Sequence, residues 1–319
     1  MYDSGLIPGK KASLKTIIVG NIAVGGTGKT PHVVWLAQEL AKTKRVAILS
    51  RGYKRKTRGF RWVNSNDDPS LAGDEPLEIK SLLPNIPVAV DSDRLRGVDR
   101  IKKELDYEPD FVILDDGFQH RSLIPHYSII LSHAEKPYYS DYLMPAGRLR
   151  EATSSVKRAD SLIITNTTAG NHQEGKDILS LYKLGKGQNL FTSSFIYSDL
   201  MPLNEKAMNI RPEEADSLML VTGIAQPDSL IKQWESRIPL VIMSYSDHHI
   251  YSEEEINFIV SRFEEMTGSN KILITTGKDA VKLKLFPQIC DIALFCQNRQ
   301  LIIDEEDKKQ LLESIENHG

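Results

Sequence analysis

The octapeptide Ala23-Val-Gly-Gly-Thr-Gly-Lys-Thr30 constrains this chain more than any other feature. An apolar run, Thr16–Val19, precedes it, and a helix-period segment, Pro31–Ala41, follows it. That strand–loop–helix context is the one a phosphate-binding loop requires. Gly25, Gly26 and Gly28 let the backbone curl until its N–H groups face phosphate oxygens. The helix start adds the positive end of its dipole. Lys29 is placed to reach the β- and γ-phosphates, and the Thr30 hydroxyl to ligate Mg²⁺. Pro31 suits the first helical turn, where a missing N–H costs nothing. Ala23 stands where the pattern usually has its first glycine, so a differently shaped loop entry is expected. The loop Ala23, Val24, Gly25, Gly26, Thr27, Gly28, Lys29 and Thr30 therefore reads as an ATP site.

Such a loop needs a layered α/β sheet to carry it, and the rest of the chain supplies one. Val46–Leu49, Phe111–Leu114, Ile129–Leu131 and Leu162–Thr165 are short, continuous apolar runs, the pattern of parallel strands covered on both faces. Pro31–Ala41 places Val33, Val34, Leu36, Ala37 and Leu40 on one helical stripe. A second series begins near Ser217. It has strands at Leu218–Thr222, Leu240–Met243, Ile272–Thr275 and Ile292–Phe295, and helices at about Gln226–Ser236, Glu253–Thr267 and Glu305–Glu316. The spacing predicts a P-loop kinase domain over 1–197, a connector over 198–216 and a smaller α/β domain over 217–319 that closes a cleft.

Phe111-Val-Ile-Leu-Asp-Asp116 is an apolar strand ending in two carboxylates, where P-loop enzymes hold Mg²⁺. Asp115 or Asp116 can do this beside Thr30. Transfer to a hydroxyl also needs an acceptor for its proton. By chemistry alone Asp74, Glu75, Asp93 and Asp116 are all candidates. Gly73-Asp-Glu-Pro76 and Asp91-Ser-Asp-Arg94 both read as loops. Asp247-His-His249 offers either a metal ligand set or an Asp–His pair that tunes a proton acceptor. Arg51–Arg61 is densely basic and carries Tyr53 and Phe60, suiting it to phosphate groups or an anionic membrane surface. Met144–Glu151 is a turn carrying two arginines.

Composition narrows the setting. The net charge of -3 argues against a nucleic-acid partner. The 2 cysteines are too few for a disulfide framework and point to a reducing cytoplasm. No signal peptide is visible over 1–15, and no uncharged apolar run reaches the roughly 18 residues of a membrane span. Peripheral membrane contact stays open.

Taken together, VGNIAVGGTGKTP, SRGYKRK, GDEP, DSDRLRG, LDDGFQH, LMPAGRLRE, VTGIAQP, SDHH and TTGKDAVK, in this order along nearly the whole chain, resemble the tetraacyldisaccharide 4'-kinase family. The resemblance implies transfer of the ATP γ-phosphate to the 4'-hydroxyl of tetraacyldisaccharide 1-phosphate, yielding lipid IVA, at the cytoplasmic face of the bacterial inner membrane. It implies Asp74 as the base, assisted by His248, with Asp115 and Asp116 near Mg²⁺. It also implies Arg94, Arg150 and Glu75 near phosphate or substrate. Family members carry a further apolar segment at the start. Here the phosphate loop begins some twenty residues in, so either the start is misassigned or membrane contact runs through other surface, with Arg51–Arg61 as the candidate. Two rivals remain on the residues alone. One is an ATP-dependent transferase or ligase with a soluble acceptor. The other is a nucleotide switch, although Thr276-Gly-Lys-Asp279 does not fit a guanine-reading N-K-x-D motif.

Overall fold

The computed structural model describes residues 9–167, 181–182, 184–225, 227–235 and 238–318. A two-stranded parallel ribbon joins β1 (Lys10–Lys11) to β7 (Leu123–Ile124). The main sheet has 8 strands in the order β10-β9-β8-β2-β6-β3-β5-β4. These are β2 (Thr16–Gly20), β3 (Val46–Ser50), β4 (Arg61–Trp62), β5 (Val88–Val90), β6 (Phe111–Asp115), β8 (Tyr127–His133), β9 (Ser161–Thr165) and β10 (Asn189–Thr192). All pairs are parallel except β4 with β5. The inner strands are buried residue by residue, because helices cover both faces.

The chain leaves β2 toward β3 and leaves β6 toward β8, on the opposite side of β2. This reversal opens a crevice at the carboxyl ends of β2 and β6, where open α/β sheets bind ligands. Helix α1 (Lys29–Ala41) follows β2 directly and buries the expected stripe, together with His32. Two further helices correct the reading of their segments as loops. Asp74 opens α3 (Asp74–Leu82), which follows the short α2 (Pro69–Ala72). Arg94 opens α4 (Arg94–Glu104), whose N-cap is Asp93. In both, an acid at the start of the helix satisfies free backbone N–H groups.

The second sheet has 5 strands in the order β12-β16-β15-β13-β14. They are β12 (Met201–Pro202), β13 (Ser217–Thr222), β14 (Leu240–Ser244), β15 (Lys271–Thr275) and β16 (Leu294–Cys296). The segment expected as a connector thus contributes edge strand β12. The helix expected at Gln226–Ser236 spans Asp228–Trp234, and the ends of that expectation lie outside the described residues. A ribbon of β11 (Ser194–Tyr197) and β17 (Arg299–Ile302), paired antiparallel, runs between the two sheets. Beyond it the chain returns to the first sheet. The helix Glu305–Glu316 packs Leu311 and Ile315 into the core formed by α1, α3 and β2. This part of 217–319 therefore sits with the phosphate-loop sheet. Among the described residues, no helix is long and apolar enough to cross a membrane.

Candidate active site

Gly28, with φ 83°, caps α1 and turns the phosphate loop into the helix. A side chain there would demand a left-handed backbone and would meet the Phe195 ring. Asn21 Nδ2 donates to Thr27 Oγ1 (2.7 Å), bracing the loop from below. Buried His32 bonds through Nδ1 to the Gly28 carbonyl (2.7 Å) and through Nε2 to Ser193 Oγ (3.0 Å). Burial, only partly opposed by the Gly28 bond, lowers its pKa to about 4, so a neutral ring donates to that carbonyl. The loop entry is tied to the Arg148–Leu149 segment. Ala23 forms an antiparallel bridge with Leu149, and Val24 N donates to Arg148 O (2.8 Å).

The end of β6 faces this loop. Asp115 is fully buried and accepts from Ser50 Oγ (2.9 Å). Burial, reinforced by Glu75 and Asp116, pushes its pKa up. Asp116 holds a left-handed backbone (φ 50°), an unusual state for a non-glycine residue. It lies 3.9 Å from Lys29 Nζ and 3.2 Å from Arg150 Nη1. The Oδ1 atoms of Asp115 and Asp116 are both buried without a hydrogen-bond partner. Two such oxygens, on residues that line the same cleft as Thr30, fit a divalent cation. Arg94 is buried behind them and donates to the carbonyls of Asp91 (2.5 Å) and Asp115 (3.3 Å), so it also supports the backbone of the strand end.

A second cluster faces the first sheet from the other. His248 Nδ1 lies 2.9 Å from Asp74 Oδ2, joining α3 to the loop after β14. Lys278 Nζ donates to His248 Nε2 (3.1 Å), which leaves Nδ1 as the donor to Asp74. Lys282 Nζ stands 3.5 Å from Asp74, and Lys278 pairs with Asp247 at 2.7 Å. Glu75 Oε1 is 3.9 Å from both Lys278 and His248. Burial would raise the Asp74 pKa. The hydrogen bond from His248, with Lys278 and Lys282, outweighs it and holds the group at about 2. Glu78, one turn on, is pushed up to about 8 by burial, against the opposing charge of Lys278. His248, like Asp116, has a positive φ (58°). Strained backbone of this kind collects at functional sites.

The two clusters share one cleft of about 1500 Å³, whose walls include Lys29, Thr30, Glu75, Asp116, Arg150 and His248. Of the four candidate acids, Glu75 and Asp116 line it, while buried Asp74 stands behind the lining and meets it through His248. Asp93 caps α4 instead, through Arg96 N (3.1 Å). His249 turns away to Glu255 (3.0 Å) and stacks on Tyr245. Among the described residues no group of three or more His, Cys, Asp or Glu is placed to hold a metal. Sequence reasoning assigned no role to Lys278, Lys282, Ser50 or Glu78. The first three lie inside the TTGKDAVK and SRGYKRK segments, which were their only signal.

Comparison with known proteins points to one family. A family model described as Tetraacyldisaccharide-1-P 4'-kinase matches residues 1–317. A tetraacyldisaccharide 4'-kinase of Bacteroides fragilis is 36% identical over 291 residues, covering 89% of this chain and 77% of the relative. One from Parabacteroides distasonis is 34% identical over 336 aligned positions, covering 100% and 91%. The crystal structure of "apo" form LpxK from Aquifex aeolicus in complex with ATP superposes with a TM-score of 0.72 at 32% identity, covering 98% of this chain and 92% of that one.

Proposed function

The chain belongs to the tetraacyldisaccharide-1-P 4'-kinase family, and from that premise we propose that it transfers the γ-phosphate of ATP to the 4'-hydroxyl of tetraacyldisaccharide 1-phosphate, forming lipid IVA in lipid A biosynthesis. The observation that carries this reading is the shared cleft, with a phosphate loop on one wall and His248, hydrogen-bonded to Asp74 behind it, on the other.

ATP binds with its phosphates against the N–H groups of Gly25–Thr30 and the Lys29 ammonium. Thr30, Asp115 and Asp116 hold Mg²⁺, which supplies charge neutralisation when bound. The two unpartnered carboxylate oxygens support this assignment. Arg150 stands beside Asp116, ready to face the transferring group. Arg94 and Glu75 shape the wall where the acceptor enters.

Asp74 accepts the proton of the attacking 4'-hydroxyl. Its low pKa makes it a weak base, and the chemistry asks for little more. In a loose phosphoryl-transfer transition state the nucleophile keeps its proton until late, so a fixed acceptor that aligns the hydroxyl matters more than basicity. The His248 Nδ1–H bond fixes that carboxylate. A tetraacylated acceptor resides in a membrane. The basic Arg51–Arg61 segment, worth roughly 1 kcal/mol per Lys or Arg at an anionic surface, supports peripheral binding at the cytoplasmic face of the inner membrane.

The test is direct. Purified protein, γ-labelled ATP, Mg²⁺ and detergent-dispersed tetraacyldisaccharide 1-phosphate should give labelled lipid, and Lys29→Ala should abolish the label. Label released only as free phosphate would remove the lipid acceptor and favour a switch or a soluble acceptor.

A further inference from the structure

The segment Tyr142–Ala146 is five consecutive apolar residues, YLMPA, and every one is exposed. Tyr142, Leu143 and Met144 keep 73%, 49% and 56% of their surface in water. The segment is held firmly. Asp141 Oδ1 accepts from Tyr142 N (2.8 Å) and Arg148 N (3.1 Å), and the Asp141 carboxylate pairs with Arg148 at 2.6 Å. Met144 N donates to Leu149 O (2.9 Å), and Leu149 N donates to Tyr142 O (2.9 Å). Gly147 permits this closure, since a Cβ there would lie 2.4 Å from both Asp141 Oδ1 and Tyr142 O. Leu149 is buried in the core. A chain free to collapse would fold such side chains inward. This one is braced to present them, which marks a surface that apolar matter covers.

Its position says what that matter is. The returning arm of the turn pairs with the phosphate-loop entry at Ala23, and its next residue, Arg150, reaches Asp116 inside the cleft. The apolar tip therefore stands at the cleft's rim. Arg51 and Tyr53 line the same cleft, and they begin the basic segment, whose Arg51, Lys54, Lys56 and Arg58 are all exposed. An apolar tip carrying a tyrosine and a polybasic segment, both at the carboxyl edge of one sheet, match the two layers of an anionic bilayer surface. We propose that Tyr142–Ala146 inserts into the interface of an anionic membrane beside the mouth of the cleft, while Arg51–Arg61 holds the headgroups. The cleft then opens onto the layer in which an acylated acceptor lies. This rests on the kinase reading above.

The test uses the full chain and phosphatidylcholine vesicles with and without phosphatidylglycerol. Leu143→Ser combined with Met144→Ser should lower partitioning onto the anionic vesicles about tenfold, as two apolar side chains leave the lipid. The same variant should keep its melting temperature and its transfer rate to detergent-dispersed acceptor. A separate Tyr142→Trp variant should show an emission blue shift with anionic vesicles that the protein with Tyr142 lacks. Unchanged partitioning together with no blue shift overturns the proposal. So does unchanged partitioning with a raised KM for dispersed acceptor, which would assign the tip to the acyl chains of the substrate. Failure of the unmodified protein to phosphorylate dispersed acceptor, with vesicle binding intact, would sink the kinase reading and leave the membrane surface standing.

Discussion

At the scale of single residues, the chemistry turns on a carboxylate that two opposing effects compete to set. Burial alone would lift Asp74 above its ordinary 3.8, but the His248 bond, with Lys278 and Lys282, brings it to about 2. A depressed acid stabilises the fold above its ordinary pKa, and that contribution is lost as pH falls from about 4 toward 2. Asp74 is therefore ionised across the neutral range, and a profile of kcat/KM against pH should show no acid limb from it above about pH 4. His248→Ala removes the largest lowering contribution and leaves burial in place. The acid limb should then move upward, and a limb that stays put would deny the coupling. Asp74→Ala should cut turnover by about 10²–10⁴-fold, the usual worth of a positioned acid or base, with ATP affinity near normal. Undiminished turnover would discard Asp74 as the acceptor. The phosphate loop was legible in the sequence because its ligands are contiguous. The Asp74–His248 pair was not, because its members lie 174 positions apart and neither neighbourhood hints at the other. Chemistry alone left four acids open, and only the family resemblance singled out Asp74.

Secondary-structure elements show the same division between local and distant causes. The inner strands were legible because burial on both faces leaves an unbroken apolar run, as in VAILS and FVILD. The edge strand β4 and the ribbon strands β11 and β17 lack that signature, with mixed burial along their length. Gly73-Asp-Glu-Pro76 resembled a turn because glycine and proline usually punctuate. Here Pro76 occupies the first helical turn, where it is tolerated, and Gly73 caps α3. Gly73 has φ 96° and ψ 153°, a region open to glycine almost alone. An added Cβ would sit 3.0 Å from the Tyr53 carbonyl oxygen. Gly73→Ala should therefore cost about 1–3 kcal/mol. Because Asp74 is the next residue, the same change should lower kcat while ATP still binds. A melting temperature and kcat both at the original level would show that α3 does not depend on this backbone state.

For the whole molecule, the question is how two sheets, each with its own apolar core, hold one set of reacting groups in register. Part of the answer is chain path. After serving the second sheet, the backbone crosses back through β17 and ends in a helix whose Leu311 and Ile315 are fully buried in the first core. The reading of 217–319 as one unit missed this return, since an amphipathic helix carries no mark of which sheet it will cover. The other part lies in the crossing ribbon. Phe195, on β11, packs against Gly28 of the phosphate loop and lies edge-on to His32, with a ring separation of 5.8 Å. The Arg299 guanidinium, on β17, covers the same ring at 4.4 Å and donates to Asn166 Oδ1 (2.8 Å). The strands that tie the sheets together thus also form one wall of the loop that grips phosphate. A loop that owes its curl to packing as well as to glycine must lose grip when that packing goes. Phe195→Ala should raise KM for ATP about tenfold, equivalent to ~1.4 kcal/mol, with a smaller effect on kcat. It should also shrink the rise in melting temperature that saturating ATP produces, because that rise follows affinity for the folded state. If KM and the ATP-induced shift both stay unchanged, the ribbon merely joins the sheets, and the phosphate loop holds its shape without it.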